Sequence, residues 1–344
     1  MVFIPLSSLI DPDKVPSDGI LFAWNINQEA VGSEIPPDSV TDELLSSGQS
    51  IWLHLNFSNT RVMRWLQASA LIPDELAESI HNDTGEVGYD AITELRQGVL
   101  FHLQDFTMDF GQGTKSNNLD FESFWCYLTP NLLITGRLHP LKTLDRAKDQ
   151  LIRGRIHPNS VHSLFHQIID IRSVQLKAAI RRLADRIDSL EEIILSGNDL
   201  AADESIGTLR IQCNRIRRHF SAELDALRYL RKRNTPEFTH DDLEQLQDHA
   251  NELTSFLEQI DSLYIRAKVL QDEQTAHVAE LNAKQLQVLS VMTVIFLPMT
   301  LISGIMGMNM EDLPGLKGSF FEVMLLMGLA GLLVYIGLKL KRIV

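Results

Sequence analysis

Two long apolar runs lie near the C-terminal end of the chain, and each is long enough to cross a membrane. The first, from Gln285 to Met306, contains no Asp, Glu, Lys or Arg, and a helix of about that length spans the roughly 30 Å hydrocarbon core of a bilayer. The second covers Phe320 to Leu338. The pattern predicts transmembrane helix 1 at 285–306, a connecting loop at 307–319 and transmembrane helix 2 at 320–338.

Ahead of these runs the chain has helical periodicity over long stretches. Apolar residues recur at steps of three and four from Val161 to Ile194, and a second helix is predicted from about Ala202 to Arg233. From Asp241 the same spacing continues with no Pro or Gly before Pro298, which predicts one helix of about sixty residues that enters the first span. Residues 158–284 are therefore predicted to form a helical stalk.

Residues 1–157 alternate short strand-like and helix-like runs, which predict a small α/β domain. The β-branched and aromatic runs are 19–25, 50–57, 91–95, 98–106 and 121–137, with short helices at 60–70 and 74–80. The N-terminus lacks the basic region, apolar core and cleavage site of a signal peptide, so this domain is expected in the cytoplasm. The expected fold is an α/β N-terminal cytoplasmic domain, a long-helix stalk and two C-terminal transmembrane helices, with the strand order left open.

Charged residues beside the two spans indicate how the chain is oriented. Lys284 precedes the first span and residues 339–344 form a basic tail, whereas the loop carries only Lys317 against its acidic residues. Positive charge favours the cytoplasmic side. Both termini are therefore expected in the cytoplasm and the loop outside.

Composition limits the chemistry further. The formal net charge is −14, which argues against nucleic acid as a partner and suits a surface that gathers cations. The two cysteines, Cys126 and Cys213, are too far apart for a metal-binding or redox pair and are expected as buried thiols.

Weakly polar residues of the first span share one face of the predicted helix. The residues at alternating steps of four and three are Leu286, Ser290, Thr293, Leu297, Thr300 and Gly304. Such a stripe is typical of close helix packing in lipid, and it is also what a pore lining requires. Leu286, Leu289 and Leu297 are candidates for apolar constrictions in such a pore.

The stripe leads into a turn, Gly307-Met308-Asn309. A chain leaving a helix exposes carbonyl groups and, here, a side-chain amide, and these groups need water or an ion as a partner. Two spans cannot enclose a path, so a pore requires several copies of the chain around an axis, with the stripes facing inward.

The residues around this turn resemble a known family. Phe296-Leu297-Pro298-Met299-Thr300, followed by Gly304 to Pro314 with Gly-Met-Asn and an acidic pair, resembles the CorA superfamily of divalent-cation transporters. The segments 21–24 and 52–56 resemble its zinc-transporting ZntB branch. The acidic pair is more similar to the magnesium-transporting pattern.

The resemblance implies a funnel-shaped homopentamer in the cell inner membrane. It would transport Zn²⁺, with Mg²⁺, Co²⁺, Ni²⁺ and Cd²⁺ as further candidates, and Asn309 from each subunit would ring the entrance and select the hydrated cation. Gly307 and Met308 would belong to the same filter, and Glu311 and Asp312 to the outer mouth. The implied partners are copies of the chain, lipid, divalent cations and protons, with no cofactor beyond the transported cations.

Two alternatives stay open. Within the family, a Mg²⁺ channel of the CorA type fits the uncharged amide ring, because Mg²⁺ keeps its water while tight Zn²⁺ binding needs softer ligands. From another class, a membrane-anchored coiled-coil scaffold or sensor fits the helices but needs neither the Gly-Met-Asn turn nor the stripe. An enzyme is not expected, since no nucleophile and base pair, phosphate loop or HExxH motif is present.

A weaker candidate lies in the stalk. His162, His166 and Asp170 share one helix face at steps of four, a spacing that metal sites use. The same spacing is more typical of a solvated helix surface, as is the run of arginines between Arg215 and Arg233.

Overall fold

A computed structural model describes residues 14–27, 30–81, 91–95, 97–106, 121–195, 203–233, 237–306 and 320–340. Within these ranges the chain forms two compact units, Met1–Lys268 and Val269–Val344. The first unit contains a sheet and most of the helices. The second contains the apolar C-terminal part of the chain.

The sheet of the first unit has seven strands in the described residues. They are β1 (Ile20–Asn27), β2 (Ala30–Ile35), β3 (Ile51–Asn56), β4 (Ile92–Leu95), β5 (Gly98–Phe106), β6 (Phe121–Leu128) and β7 (Leu132–Arg137). Their order is β2-β1-β3-β7-β6-β5-β4, and β3 and β7 pair in parallel while the other neighbours are antiparallel. The two parallel strands are central and almost wholly buried, as continuous apolar runs predict.

The helices are long in the second half of the chain. They are α1 (Asp42–Leu45), α2 (Thr60–Ala68), α3 (Asp74–His81), α4 (Lys142–Ile152), α5 (Val161–Leu195), α6 (Asp203–Arg233), α7 (His240–Met306) and α8 (Phe320–Leu340). Residues of α2 and α3, including Trp65, join the core on one face of the sheet. On the opposite face of the sheet, the ring of Phe101 packs against the ring of Phe165 on α5, with 4.5 Å between the ring centroids.

The long-helix prediction is confirmed, because α7 runs unbroken from His240 to Met306 with Pro298 inside it. The prediction of one strand-like run at 121–137 was wrong, since this segment divides into β6 and β7 around a turn that contains Pro130. Proline removes a ladder donor and favours such turns. The sequence did not predict β2 and α4.

In the second unit, α8 packs against the last turns of α7 through a glycine. Gly331 is buried, and a Cβ added there would lie 2.0 Å from Met299 Cε and 3.8 Å from Ile295 Cγ2. The missing side chain lets the two helices approach closely, as small residues do in membrane helix pairs. Both α7 and α8 are long and apolar enough to cross a membrane, by length and composition.

Candidate functional site

The polar stripe of α7 is exposed along its whole length in a single chain. Its leucines, Leu286 and Leu297, are 66% and 63% exposed, and Leu289, one turn before Thr293 at the edge of the stripe, is 61% exposed. Ser290, Thr293, Thr300 and Gly304 are exposed as well. A Cβ added at Gly304 would meet nothing within 4 Å, so this part of the helix surface is open in one copy of the chain.

The side of α7 that contacts α8 is a different side. Its half-buried residues are Val291, Ile295, Pro298, Met299 and Ile302. At about 3.6 residues per turn, this set and the stripe are centred roughly 180° apart around the helix. The stripe therefore does not serve the contact between the two apolar helices of one chain, and it is available to water, lipid or another copy.

The threonines of the stripe present oxygen atoms whose protons are already used. Thr293 Oγ1 donates to the Leu289 carbonyl at 2.8 Å, and Thr300 Oγ1 donates to the Phe296 carbonyl at 2.9 Å. Such bonds to the carbonyl four residues earlier are common for threonine in helices. The remaining lone pairs of each hydroxyl are acceptors, which suit hydrated divalent cations.

The residues proposed for the entrance lie outside the described residues. These are Gly307, Met308 and Asn309 of the turn, and Glu311 and Asp312 of the acidic pair. Their assignment stays a prediction from the sequence.

The histidines of the stalk do not form the metal site that their spacing allows. His166 lies against His249 of α7, with 3.1 Å between His166 Nδ1 and His249 Nε2, and the His162 ring packs edge-on against Phe238. Among the described residues, no group of three or more His, Cys, Asp or Glu side chains is placed to hold a metal ion. The alternative, a solvated helix surface, was also wrong for His162 and His166, because both are buried.

Two arginines of the α6 run pair with acidic side chains, and Arg228 and Arg231 donate instead to Thr254 and Gln247. Arg217 pairs with Asp261 at 3.3 Å, and Arg233 pairs with Glu94 at 2.9 Å. Sequence reasoning missed the buried pair that links α5 to α6, in which Arg172 donates to both carboxylate oxygens of Glu223. Its two residues are 51 positions apart, so no local pattern marks it.

Both cysteines are buried and unpaired, as predicted. Burial raises the pKa of both thiols, that of Cys213 to about 11. They therefore stay protonated and unreactive at neutral pH.

The described residues combine a mixed α/β unit and long helices with two helices, α7 and α8, that are long and apolar enough to cross a membrane, which is the layout of a membrane protein. The model of the family described as CorA-like Mg²⁺ transporter protein matches residues 47–342. The chain belongs to that family.

Comparison with individual proteins gives the same picture. The zinc transport protein ZntB of Yersinia enterocolitica is 26% identical over 304 residues, which cover 88% of this chain and 89% of that protein. The structure of full-length CmaX has a TM-score of 0.74 at 22% identity and covers 94% of this chain and 98% of that one. The CorA magnesium transporter of Methanocaldococcus jannaschii has a TM-score of 0.70 at 18% identity, with 93% and 98% covered. At these identities, the two structures support the fold alone.

Proposed function

We propose that the protein transports divalent metal cations across the cell inner membrane through a central path shared by five copies of the chain. The observation that carries this proposal is the stripe on α7, which lies opposite the contact with α8 and presents hydroxyl oxygens between leucine side chains. A membrane anchor needs no such surface. Family membership supports the same reading.

The cation is proposed to enter hydrated. A ring of Asn309 amides would hold the water shell of the ion, with Gly307 and Met308 completing the filter. Leu286, Leu289 and Leu297 would form apolar constrictions, and Ser290, Thr293, Thr300 and Gly304 the wet surface between them. An apolar ring in a narrow pore closes by expelling water and needs no charge.

Zn²⁺ is the first candidate cargo, because curated relatives over most of the chain are named zinc transport proteins. The family description names Mg²⁺ instead. The deciding measurement is flux of Zn²⁺, Mg²⁺, Co²⁺, Ni²⁺ and Cd²⁺ into liposomes that contain the full-length protein, with and without a pH gradient. Flux of Mg²⁺ alone would favour a magnesium channel, and no flux of any cation would favour the scaffold or sensor.

The filter has its own test. Asn309→Ala should abolish flux and leave the oligomer intact, because alanine has no amide with which to hold a hydrated ion. Asn251→Ala is the matched control, since Asn251 is an exposed amide on α7 within the first unit. Wild-type flux from Asn309→Ala would remove the filter assignment.

A further inference from the structure

Four side chains form a continuous polar row between α5 and α7, inside the first unit. Asp170 Oδ1 lies 3.7 Å from His249 Nδ1, His249 Nε2 lies 3.1 Å from His166 Nδ1, and His166 Nε2 lies 3.6 Å from Asp242 Oδ1. The two imidazole rings are stacked, 5.3 Å apart and 25° from parallel. The side chains of His166 and His249 are only 2% and 8% exposed. Nothing in the proposed transport path uses this row.

The number of protons that fits this row follows from its geometry. Two neutral imidazoles carry one N–H proton each on four ring nitrogens. One of these protons must lie between the two facing nitrogens, so one of the two outer nitrogens remains bare and faces a carboxylate. In the described structure His166 Nε2 has no hydrogen-bond partner.

One additional proton would complete the hydrogen bonds of the row, but it would place a positive charge on rings that are only 2% and 8% exposed, which burial opposes. Both outer nitrogens then carry a proton toward a carboxylate, and the facing nitrogens still share one hydrogen bond. A second additional proton would place two N–H groups against each other across 3.1 Å, which removes that bond and adds repulsion between two cations. Burial therefore opposes the first added proton, and the facing nitrogens oppose a second while α5 and α7 remain together.

The two carboxylates have different surroundings: Asp242 is held by hydrogen bonds, and Asp170 is open to solvent. Asp242 Oδ2 accepts from the backbone N–H of Thr239 at 2.9 Å and from its hydroxyl at 2.7 Å, which leaves Oδ1 toward His166. Asp170 has a side chain that is 65% exposed and lines a cavity of about 280 Å³ between α4 and α5. Solvent therefore reaches the outer end of the row.

The other charged or titratable groups around the two rings come from three helices and the segment before α7. They are His162 and Arg172 on α5, Glu223 on α6, Glu252 on α7 and Glu237. The guanidinium of Arg172 is compensated by its pair with Glu223. At the outer end, Arg146 of α4 lines the same cavity as Asp170.

We propose that the His166 and His249 side chains form a buried joint between α5 and α7 that is held while both rings are uncharged and is opened by acid. Solvent protons enter from the cavity beside Asp170. Burial opposes the first proton and the two facing N–H groups oppose a second, so protonation parts the rings and loosens the helices. The proposal goes beyond cation transport and does not depend on it.

The pH range follows from the direction of the pKa shifts. Burial lowers the pKa of His166 to about 4, and burial together with the His166 and Arg172 charges lowers the pKa of His249 to about 3. An unfolded histidine has a pKa of about 6.5, so the unfolded chain binds more protons than the folded one between these values. The contribution to stability is complete above about pH 6.5 and is lost progressively as the pH falls toward about 4.

The test is hydrogen–deuterium exchange on the full-length protein in detergent, corrected for intrinsic rates, at about pH 7.5 and about pH 5. Peptides around 166 and 249 should lose protection severalfold at the lower pH in the wild type. In His249→Gln the amide nitrogen stands where Nε2 was and can still bond to His166, so we expect a much smaller pH effect. His240→Gln, an exposed histidine at the start of α7, is the matched control and should behave like the wild type.

His166→Asn gives a second, independent variant, because its amide stands at the position of Nδ1. His249→Leu, which removes the bond entirely, should lose protection at both pH values. Equal pH dependence in the wild type and in both amide variants would overturn the proposal. Hydrogen exchange does not depend on transport, so this result can be interpreted even if the transport proposal fails.

Discussion

Leu289 is the residue whose replacement best separates a pore lining from a lipid-facing surface. It is 61% exposed at the edge of the α7 stripe, and its carbonyl accepts from Thr293 one turn further on. If a ring of Leu289 side chains closes a dry constriction, Leu289→Asn keeps the helix but hydrates the ring. We expect raised basal flux, by several-fold.

The measurement is liposome flux with the oligomer checked by size. Leu325→Asn on α8 is the control, because Leu325 is 68% exposed but lies on the other apolar helix. Unchanged flux in Leu289→Asn would place the gate elsewhere, and an equal rise in both variants would point to general disruption of the spans.

For single residues, the sequence predicts which side chains share a helix face, because they follow a local spacing. It does not predict contacts between residues that are far apart in the chain. The stripe is visible because Ser290, Thr293 and Thr300 follow helical spacing, and spacing alone puts them on one face. His166 and His249 are 83 positions apart, and their contact depends on how α5 packs on α7. The spacing of His162, His166 and Asp170 predicts one shared face, but only Asp170 is solvated and both histidines are buried, because amphipathicity does not say which helix covers a face.

Among the helices, α5 and α6 are joined by a buried charge pair whose removal should be costly. The side chains of Arg172 and Glu223 are each 4% exposed. Glu223→Leu alone leaves a guanidinium buried without its partner, and we expect a loss of roughly 3–5 kcal/mol in the stability of the first unit. The double variant Arg172→Met/Glu223→Leu should recover most of that loss, since apolar residues of similar size often replace buried pairs without cost.

Thermal or denaturant unfolding of the purified protein measures both effects. Arg217→Ala is the control, because its pair with Asp261 is about half exposed on each side and such pairs contribute about 1 kcal/mol or less. A double variant that is as unstable as the single one would mean that the pair holds a specific packing rather than only compensating its own charges.

The long helices could be predicted better than the sheet. Helix α7 has one continuous apolar and polar pattern with no breaker before Pro298, so its length is readable from the chain alone. Strand β2 has the sequence AVGSEI at the edge of the sheet. Gly32 and Ser33 are residue types common in turns. An edge strand with one partner also has little apolar surface to bury, so no apolar alternation marks β2 in the sequence. Strand order depends on pairings between distant segments, which periodicity does not specify.

Across the whole molecule, the net charge of −14 raises the question of where its negative charge acts. Fields from exposed charges fade within about 8 Å at physiological ionic strength. Acidic residues farther than this from the mouth therefore cannot concentrate cations there, whereas the proposed rings of Glu311 and Asp312 can. We therefore expect the position of the acidic residues to affect cation affinity more than the total charge of the chain does.

Two double variants with the same net charge test this. Glu311→Gln/Asp312→Asn and Asp38→Asn/Glu43→Gln each change the charge from −14 to −12, the second pair being exposed on the first unit. If the loop gathers cations by its field, the loop variant should lower apparent cation affinity several-fold at roughly 10 mM salt, where the screening length is about 30 Å, and little at roughly 1 M, where it is about 3 Å. The first-unit variant should match the wild type at both. An equal loss at low and high salt in the loop variant would mean that these carboxylates bind the ion directly, since inner contacts are not screened by bulk salt.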